Sequence, residues 1–457
     1  MLPDNVLLDI FEFYRDPLFI TLSWPWNRLV HVCQRWRYIV FASPLRLDLC
    51  LLCTSETPVR KTLDVWPPLP IEIEWHNASG DDIANLVAAL EHCDRVRRIW
   101  INNLTSSLLE ELVPTTQEPF PALTVLHLST DGTAPVLPDM FLGGSAPRLQ
   151  SLSLWGFPFP RLPRLLSSAT DLSDLSLLRI PHTGYISPEA MVTCLSALTR
   201  LTRLVIGFKS PASRPNRRGP PPLTRVILPA LVWLAFDGVS EYLEDLVARI
   251  DAPRLHILDI SFFHQLIYDV QQLPYFIGHA GSLGSFSHAE VVINNYGVDI
   301  EFHPSERTPA DLHNRLRLGI LCRAVDWQVS FMAQICNQVS LLPSIVEQLD
   351  IQVFPLESIS QVDLEDTQWL ELFRPFTAVR TLRIHHMLQS LIVPALQELT
   401  GERATEVLPA LDSLYLEEYP PSGSDQQAIE SIVAARQHSD HPVAVHHWEV
   451  VKWSGSG

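Results

Sequence analysis

The runs Leu123-Thr124-Val125-Leu126-His127-Leu128, Leu149-Gln150-Ser151-Leu152-Ser153-Leu154 and Leu172-Ser173-Asp174-Leu175-Ser176-Leu177 decide how this chain folds. In each, the last two leucines stand two residues apart, the spacing that puts both on one face of a strand. The first leucine lies just upstream, where it tucks the entering turn inward. The same unit, with Val, Ile or Phe at some positions, begins again at Val96, Leu201, Leu231, Leu255, Val346, Val379 and Leu411, usually entered through Pro-x-Leu. Adjacent units start roughly 23 to 33 residues apart. A single unit cannot bury its apolar face, whereas a stack of them can.

Between these strands the hydrophobic period becomes helical. Ile83, Leu86, Val87 and Leu90 sit at i, i+3, i+4, i+7 within 81–91, and Asp81-Asp82 favour the helix N-terminus. Similar spacing predicts helices over 188–198, 242–250 and 326–342. Strand alternating with helix predicts a parallel sheet with helices on one side. The stretch 283–320 fits least well, and strands are expected near 290–293 and 316–320. After Pro420-Pro421-Ser422, a helix over 425–437 capped by Ser424 and a closing strand over 443–448 would end the stack. These units resemble leucine-rich repeats. They lack the asparagine ladder of regular ones, so uneven coils are expected. The expected fold class is α/β: a short helical segment, then an irregular leucine-rich-repeat solenoid, a horseshoe with its parallel sheet on the concave side and helices outside.

Residues alternating with the inward leucines would line the concave side. They are Trp100, His127, Trp155, Trp233, Asp237, Asp259, His385, Tyr415 and Glu417. Scattered aromatics among mixed charges suit recognition of a protein.

The N-terminus carries a different signal. Leu2-Pro3-Asp4-Asn5-Val6-Leu7-Leu8-Asp9-Ile10-Phe11 places proline and aspartate at a helix start and Leu7, Ile10, Phe11 and Tyr14 on one helical face. A second stripe follows at Leu29, Val32, Cys33 and Trp36, with Val30, Ile39, Val40 and Phe41 outside it, and Pro44 ends it. Apolar surface on more than one side of a helix calls for more than one neighbour. These residues resemble an F-box: Leu2-Pro3 with Val6-Leu7 and Ile10-Phe11, then Leu29-Val30, Val32-Cys33 and Trp36-Arg37, then Ala42-Ser43-Pro44. The connection Arg15 to Asn27 is longer than most F-boxes have. With the repeats, the whole resembles the expanded F-box families of mushroom-forming (basidiomycete) fungi.

That resemblance implies binding to a Skp-type adaptor, and through it a cullin, with Leu2, Pro3, Val6, Leu7, Ile10, Leu29, Val30, Cys33 and Trp36 as the adaptor-facing set. It divides the chain into an F-box (1–46), a connecting segment (47–70), repeats (71–420), a capping coil (421–450) and a tail (451–457). The implied role is the substrate-recognition subunit of a ubiquitin ligase in the cytoplasm or nucleus, holding an unknown target protein. Such a subunit supplies binding and proximity and no chemistry of its own. Two other readings compete with it: a non-catalytic repeat scaffold outside the ubiquitin system, and a small-ligand sensor.

Composition excludes several other classes. Of the 457 residues, 33 are basic and 51 acidic, a formal charge of −18 that argues against general nucleic-acid binding. The seven cysteines are scattered and odd in number, as expected for reduced thiols. Cys50 and Cys53 have the spacing of a zinc knuckle, but no second pair follows, and Leu47, Leu49 and Leu51 alternate like a strand. The sequons at Asn77 and Asn103 follow no signal peptide. Polar residues in the uncharged stretch 327–346 exclude a membrane span there. No phosphate loop, dinucleotide fingerprint or nucleophile elbow is present, so neither an enzyme nor a cofactor is expected. His438, His441, His446 and His447 lack helical ligand spacing and read as surface residues, so no metal is expected either. Asp363, Glu365 and Asp366 read as a solvated loop. The basic island Lys209, Arg214, Arg217, Arg218 and Arg225, around Pro220-Pro221-Pro222, reads as a polyproline-prone loop.

Overall fold

A computed structural model describes residues 2–12, 29–42, 49–66, 68–76, 83–130, 136–211, 225–268, 270–281, 283, 286–304, 314–354, 366–397, 406–417, 423–438 and 442–448. Several sequence expectations lie outside these residues: the connection 15–27, Pro44, Asn77, Arg214, Arg217, Arg218, Asp363, Glu365, Pro420 to Ser422, His441 and the tail. The chain divides into two compact units, 1–184 and 185–457.

Among the described residues, the first unit opens with the helices α1 (Asp4–Glu12) and α2 (Gln34–Ala42). Six strands follow: β1 (Leu49–Leu52), β2 (Ile71–Trp75), β3 (Val96–Ile101), β4 (Val125–Ser129), β5 (Ser151–Trp155) and β6 (Asp174–Ile180). They pair in sequence order and all in parallel. The leucine pattern sets the register, with Leu126 opposite Leu152 and Leu152 opposite Leu175. These leucines are fully buried under the helices between strands, α3 (Val59–Val65), α4 (Ile83–Leu90), α5 (Ser106–Thr116) and α6 (Leu162–Ser168). Each such side chain contributes about 1.5–3 kcal/mol of burial. The intervening residues are half-buried, so the sheet keeps one open face. Cys50 lies in strand β1, with Leu49 and Leu51 buried beside it.

The second unit repeats the plan with α7 (Pro188–Leu195), β7 (Arg203–Phe208), β9 (Trp233–Gly238), α8 (Ser240–Val247), β11 (Ile257–Phe263) and α9 (Gln272–His279). A two-residue pair, β8 (Val226–Ile227) with β10 (Ile250–Asp251), stands beside this run. The chain then departs from the expected pattern. Among the described residues, three strands occupy the irregular region: β12 (His288–Asn294), β13 (Gly297–His303) and β14 (Arg315–Leu321). β13 runs antiparallel to both neighbours, and the spatial order is β11-β14-β13-β12, next to β15 (Gln348–Val353). Both strands expected in this stretch form, as β12 and β14, but the expected all-parallel sheet is corrected: the antiparallel β13 lies between them, in a hairpin with β12. Its turn is chemical in origin: Asn294 Oδ1 accepts the N–H groups of Tyr296 at 2.8 Å and Gly297 at 3.0 Å.

The parallel pattern resumes through α10 (Val325–Gln338), β15, α11 (Asp366–Phe373), β16 (Thr381–Ile384), α12 (His386–Gln397), β17 (Ser413–Glu417), α13 (Gly423–His438) and β18 (Ala444–Trp448). α13 begins at Gly423, two residues before the expected start.

Candidate interaction face

In the first unit, Trp100 and His127 face each other on β3 and β4 and stack with ring centroids 4.0 Å apart at 17°. Arg98 lies 5.0 Å from the Trp100 ring and pairs with Glu72 at 3.4 Å. Burial, then the Arg98 charge, holds His127 below the usual imidazole range. Its ring is thus neutral at pH 7, and Nε2 donates to Asn102 Oδ1 at 3.1 Å. The same oxygen accepts the Ser129 hydroxyl at 3.0 Å, and Asn102 Nδ2 stands 2.9 Å from His76 Nδ1. The Asn102 network was not anticipated, because position 102 follows the strand and falls outside the alternation. Trp155 is at a different level along the strands, with Arg179 5.8 Å from its ring.

The second unit carries a longer array. Asp259, Arg317, Glu301, Glu290, Asp350, Arg383, Tyr415 and His446 stand in register across eight adjacent strands. Arg317 Nη1 donates to Asp259 at 2.9 Å and Nη2 to Asp299 at 2.8 Å. Arg315 reaches Asp259 at 3.3 Å. Asp350 pairs with His288 at 3.1 Å and with Arg383 at 3.8 Å. Arg383 lies 5.4 Å from the Tyr415 ring, which stacks on His446 at 4.7 Å. Trp233 is covered by Arg203 at 4.4 Å.

Carboxylates outnumber guanidiniums here, and the sheet removes them from water. Burial raises the Asp237 carboxyl above its ordinary range, and the Asp259 charge adds to it. Burial also raises Asp299 and Glu301, against the pull of Arg317 and Arg315. Only part of this array was predicted: Glu290, Asp299, Glu301, Arg315 and Arg317 belong to the hairpin region, where the repeat signal fails.

Glu417 departs from the expected exposure. Its side chain is 6% exposed, and it turns toward His385 and His386 at the start of α12. These are the cluster of possible metal-ligand side chains found among the described residues, a grouping not expected from sequence. Nearby, Gln389, Leu416, Ile429, Val433 and Val445 line a cavity of about 450 Å³.

At the N-terminus, the phase of the second stripe is corrected. Leu29 and Val30 are helical and buried, a turn follows at His31–Val32, Cys33 precedes α2, and Val32 and Cys33 are exposed. The reason is the turn closed by Val32 N–H on Leu29 C=O at 3.3 Å, which breaks the helical period. Leu7 and Phe11 are buried, Val6 and Trp36 half-buried, and Leu2, Pro3 and Ile10 exposed. Trp36 packs on Phe11 with ring centroids 4.8 Å apart. Of the basic island, Lys209 and Arg225 are described, and Arg225 pairs with Asp251 at 3.8 Å.

No protein-family model matches the chain, and no curated protein matches it. Among solved structures it is similar to the leucine-rich repeat-containing protein LegL7 from Legionella pneumophila. The identity is 11% and the TM-score 0.28, over 84% of this chain and 97% of that one. Among the described residues, no helix is long and apolar enough to cross a membrane.

Proposed function

We propose that this chain is the substrate receptor of a Skp–cullin–F-box ubiquitin ligase, with an F-box at its N-terminus and leucine-rich repeats that hold a target protein. One observation carries the reading. The N-terminal helical segment buries Leu7, Phe11, Leu29, Val30, Ile39 and Val40, yet leaves Leu2, Ile10, Val32 and Tyr38 exposed at 52, 38, 59 and 72%. Apolar side chains turned both inward and outward suit a segment held on one side by its own chain and on the other by an adaptor. The open faces of the strands, rich in aromatics, arginines and carboxylates, are the surface offered to a target in the cytoplasm or nucleus. Ubiquitin transfer itself is assigned to other subunits, and this chain acts through proximity.

The test is co-purification with a Skp-type adaptor, comparing the intact chain, a chain lacking residues 1–46, and the variants Ile10→Asp and Tyr38→Asp. Both substituted side chains are exposed, so thermal unfolding should stay unchanged while adaptor capture is lost. A folded intact chain that ignores the adaptor sinks the proposal and leaves a repeat scaffold of another assembly.

A further inference from the structure

His385 joins β16 to α12, His386 is the first residue of α12, and Glu417 ends β17, the strand paired with β16. Their ligand atoms all lie within 4.8 Å of one another. Glu417 Oε2 stands 3.3 Å from His385 Nε2 and 2.8 Å from His386 Nδ1. The same oxygen accepts the backbone N–H of His386 at 2.8 Å. Capping α12 accounts for that last bond alone. Two imidazoles turned onto the same buried oxygen are more than a cap requires.

We propose that His385, His386 and Glu417 bind a divalent transition-metal ion of the zinc class. Two imidazole nitrogens and one carboxylate oxygen favour such an ion over calcium or magnesium, which take all-oxygen shells. Metal–ligand bonds of about 2.0–2.2 Å place tetrahedral ligand atoms about 3.3 Å apart. The spacing of His385 and Glu417 already meets this; on binding, His386 Nδ1 must open from Glu417 by about half an ångström, and the two ring nitrogens, which lie within 4.8 Å of each other, must adjust to the same spacing.

To ligate through Nε2, His385 carries its proton on Nδ1. That gives up only a long contact, 3.4 Å, from the Met387 N–H. The two histidine side chains are 22% and 32% exposed, which leaves the fourth position to water. The site joins the start of α12 to the end of β17, so a bound ion would stabilise this part of the second unit.

The experiment uses the full chain, titrated with Zn²⁺ by calorimetry and with Co²⁺ by visible absorption. The expected result is one equivalent bound, with tetrahedral cobalt bands and a raised thermal midpoint. His385→Ala and His386→Ala should each weaken binding at least about tenfold, whereas the double variant His446→Ala/His447→Ala should not. Glu417→Gln keeps an oxygen acceptor for the cap and should also weaken binding. If it fails to fold, the two single histidine variants decide alone. No binding by the intact chain, or binding unchanged in both of those variants, overturns the proposal.

Discussion

Arg317 and Asp259 stand opposite each other on β14 and β11, joined at 2.9 Å, where the second unit's sheet changes from parallel to antiparallel. The other arm of the same guanidinium reaches Asp299 on β13 at 2.8 Å, so one side chain spans both kinds of pairing. Arg317 is 27% exposed on its side chain, and its loss would leave Asp259, Asp299 and Glu301 facing Arg315 alone. Arg317→Met should cost about 2–3 kcal/mol in urea unfolding, below the range for fully buried pairs because solvent screens this one. Arg317→Lys should recover little, since an ammonium cannot fork to two strands. A loss under about 0.5 kcal/mol would mean the array is mere surface.

Asp237 gives the opposite sign. Burial first, and Asp259 second, raise its folded-state pKa. The ionised carboxylate is therefore a cost, present above the folded pKa and absent below the unfolded one. Asp237→Asn should stabilise the protein by about 0.5–1 kcal/mol at pH 7. The gain should fade as pH falls through the carboxylate range. Thermal midpoints at pH 7 and pH 3.5 check it, and a variant less stable at pH 7 refutes it.

Gly297 begins β13 opposite Leu321 of β14. A Cβ there would run into the backbone carbonyl of Ile320, so a side chain must push the two strands apart. Gly297→Ala should cost about 2–4 kcal/mol. Because β13 links the two parallel runs, limited proteolysis should cut near the hairpin before other sites. Wild-type resistance to protease would show that the strands accommodate the methyl group.

The parts of this fold legible in sequence are those whose signal is local. The Leu-x-x-Leu-x-Leu unit carries its own strand and register, so β4, β5 and β6 could be read directly, along with the open-face positions of Trp100 and His127. The hairpin could not be read from that unit, because β13 alternates without it and its direction depends on the Asn294 turn. The N-terminal stripe misled for a related reason: residues 29 to 36 have helical spacing but are divided by a turn. Helix starts show the same contrast. Thr105 accepts from Leu108 N–H and Ser187 from Ala190 N–H within their own segments. The N–H of Ser240, however, meets Gln265, and that of His386 meets Glu417, residues brought near only by the stacking of coils. The His385–His386–Glu417 cluster is a product of that same stacking, and no linear spacing announces it.

Glu244 is the sharpest case of such remote capping. It lies in α8, 4% exposed, and its carboxylate accepts the N–H groups of Gln272 at 2.6 Å and Leu273 at 3.0 Å at the start of α9. Those donors have no partner within their own helix, since the first turn never does. Glu244→Ala would leave both without this acceptor and should cost about 2–3 kcal/mol. Glu244→Gln keeps one oxygen and should recover part of the loss. Hydrogen exchange separates this role from simple packing: the Gln272 and Leu273 amides should exchange faster in the alanine variant, with the glutamine variant between it and wild type. If both amides keep wild-type protection in Glu244→Ala, the carboxylate is not what holds the start of α9.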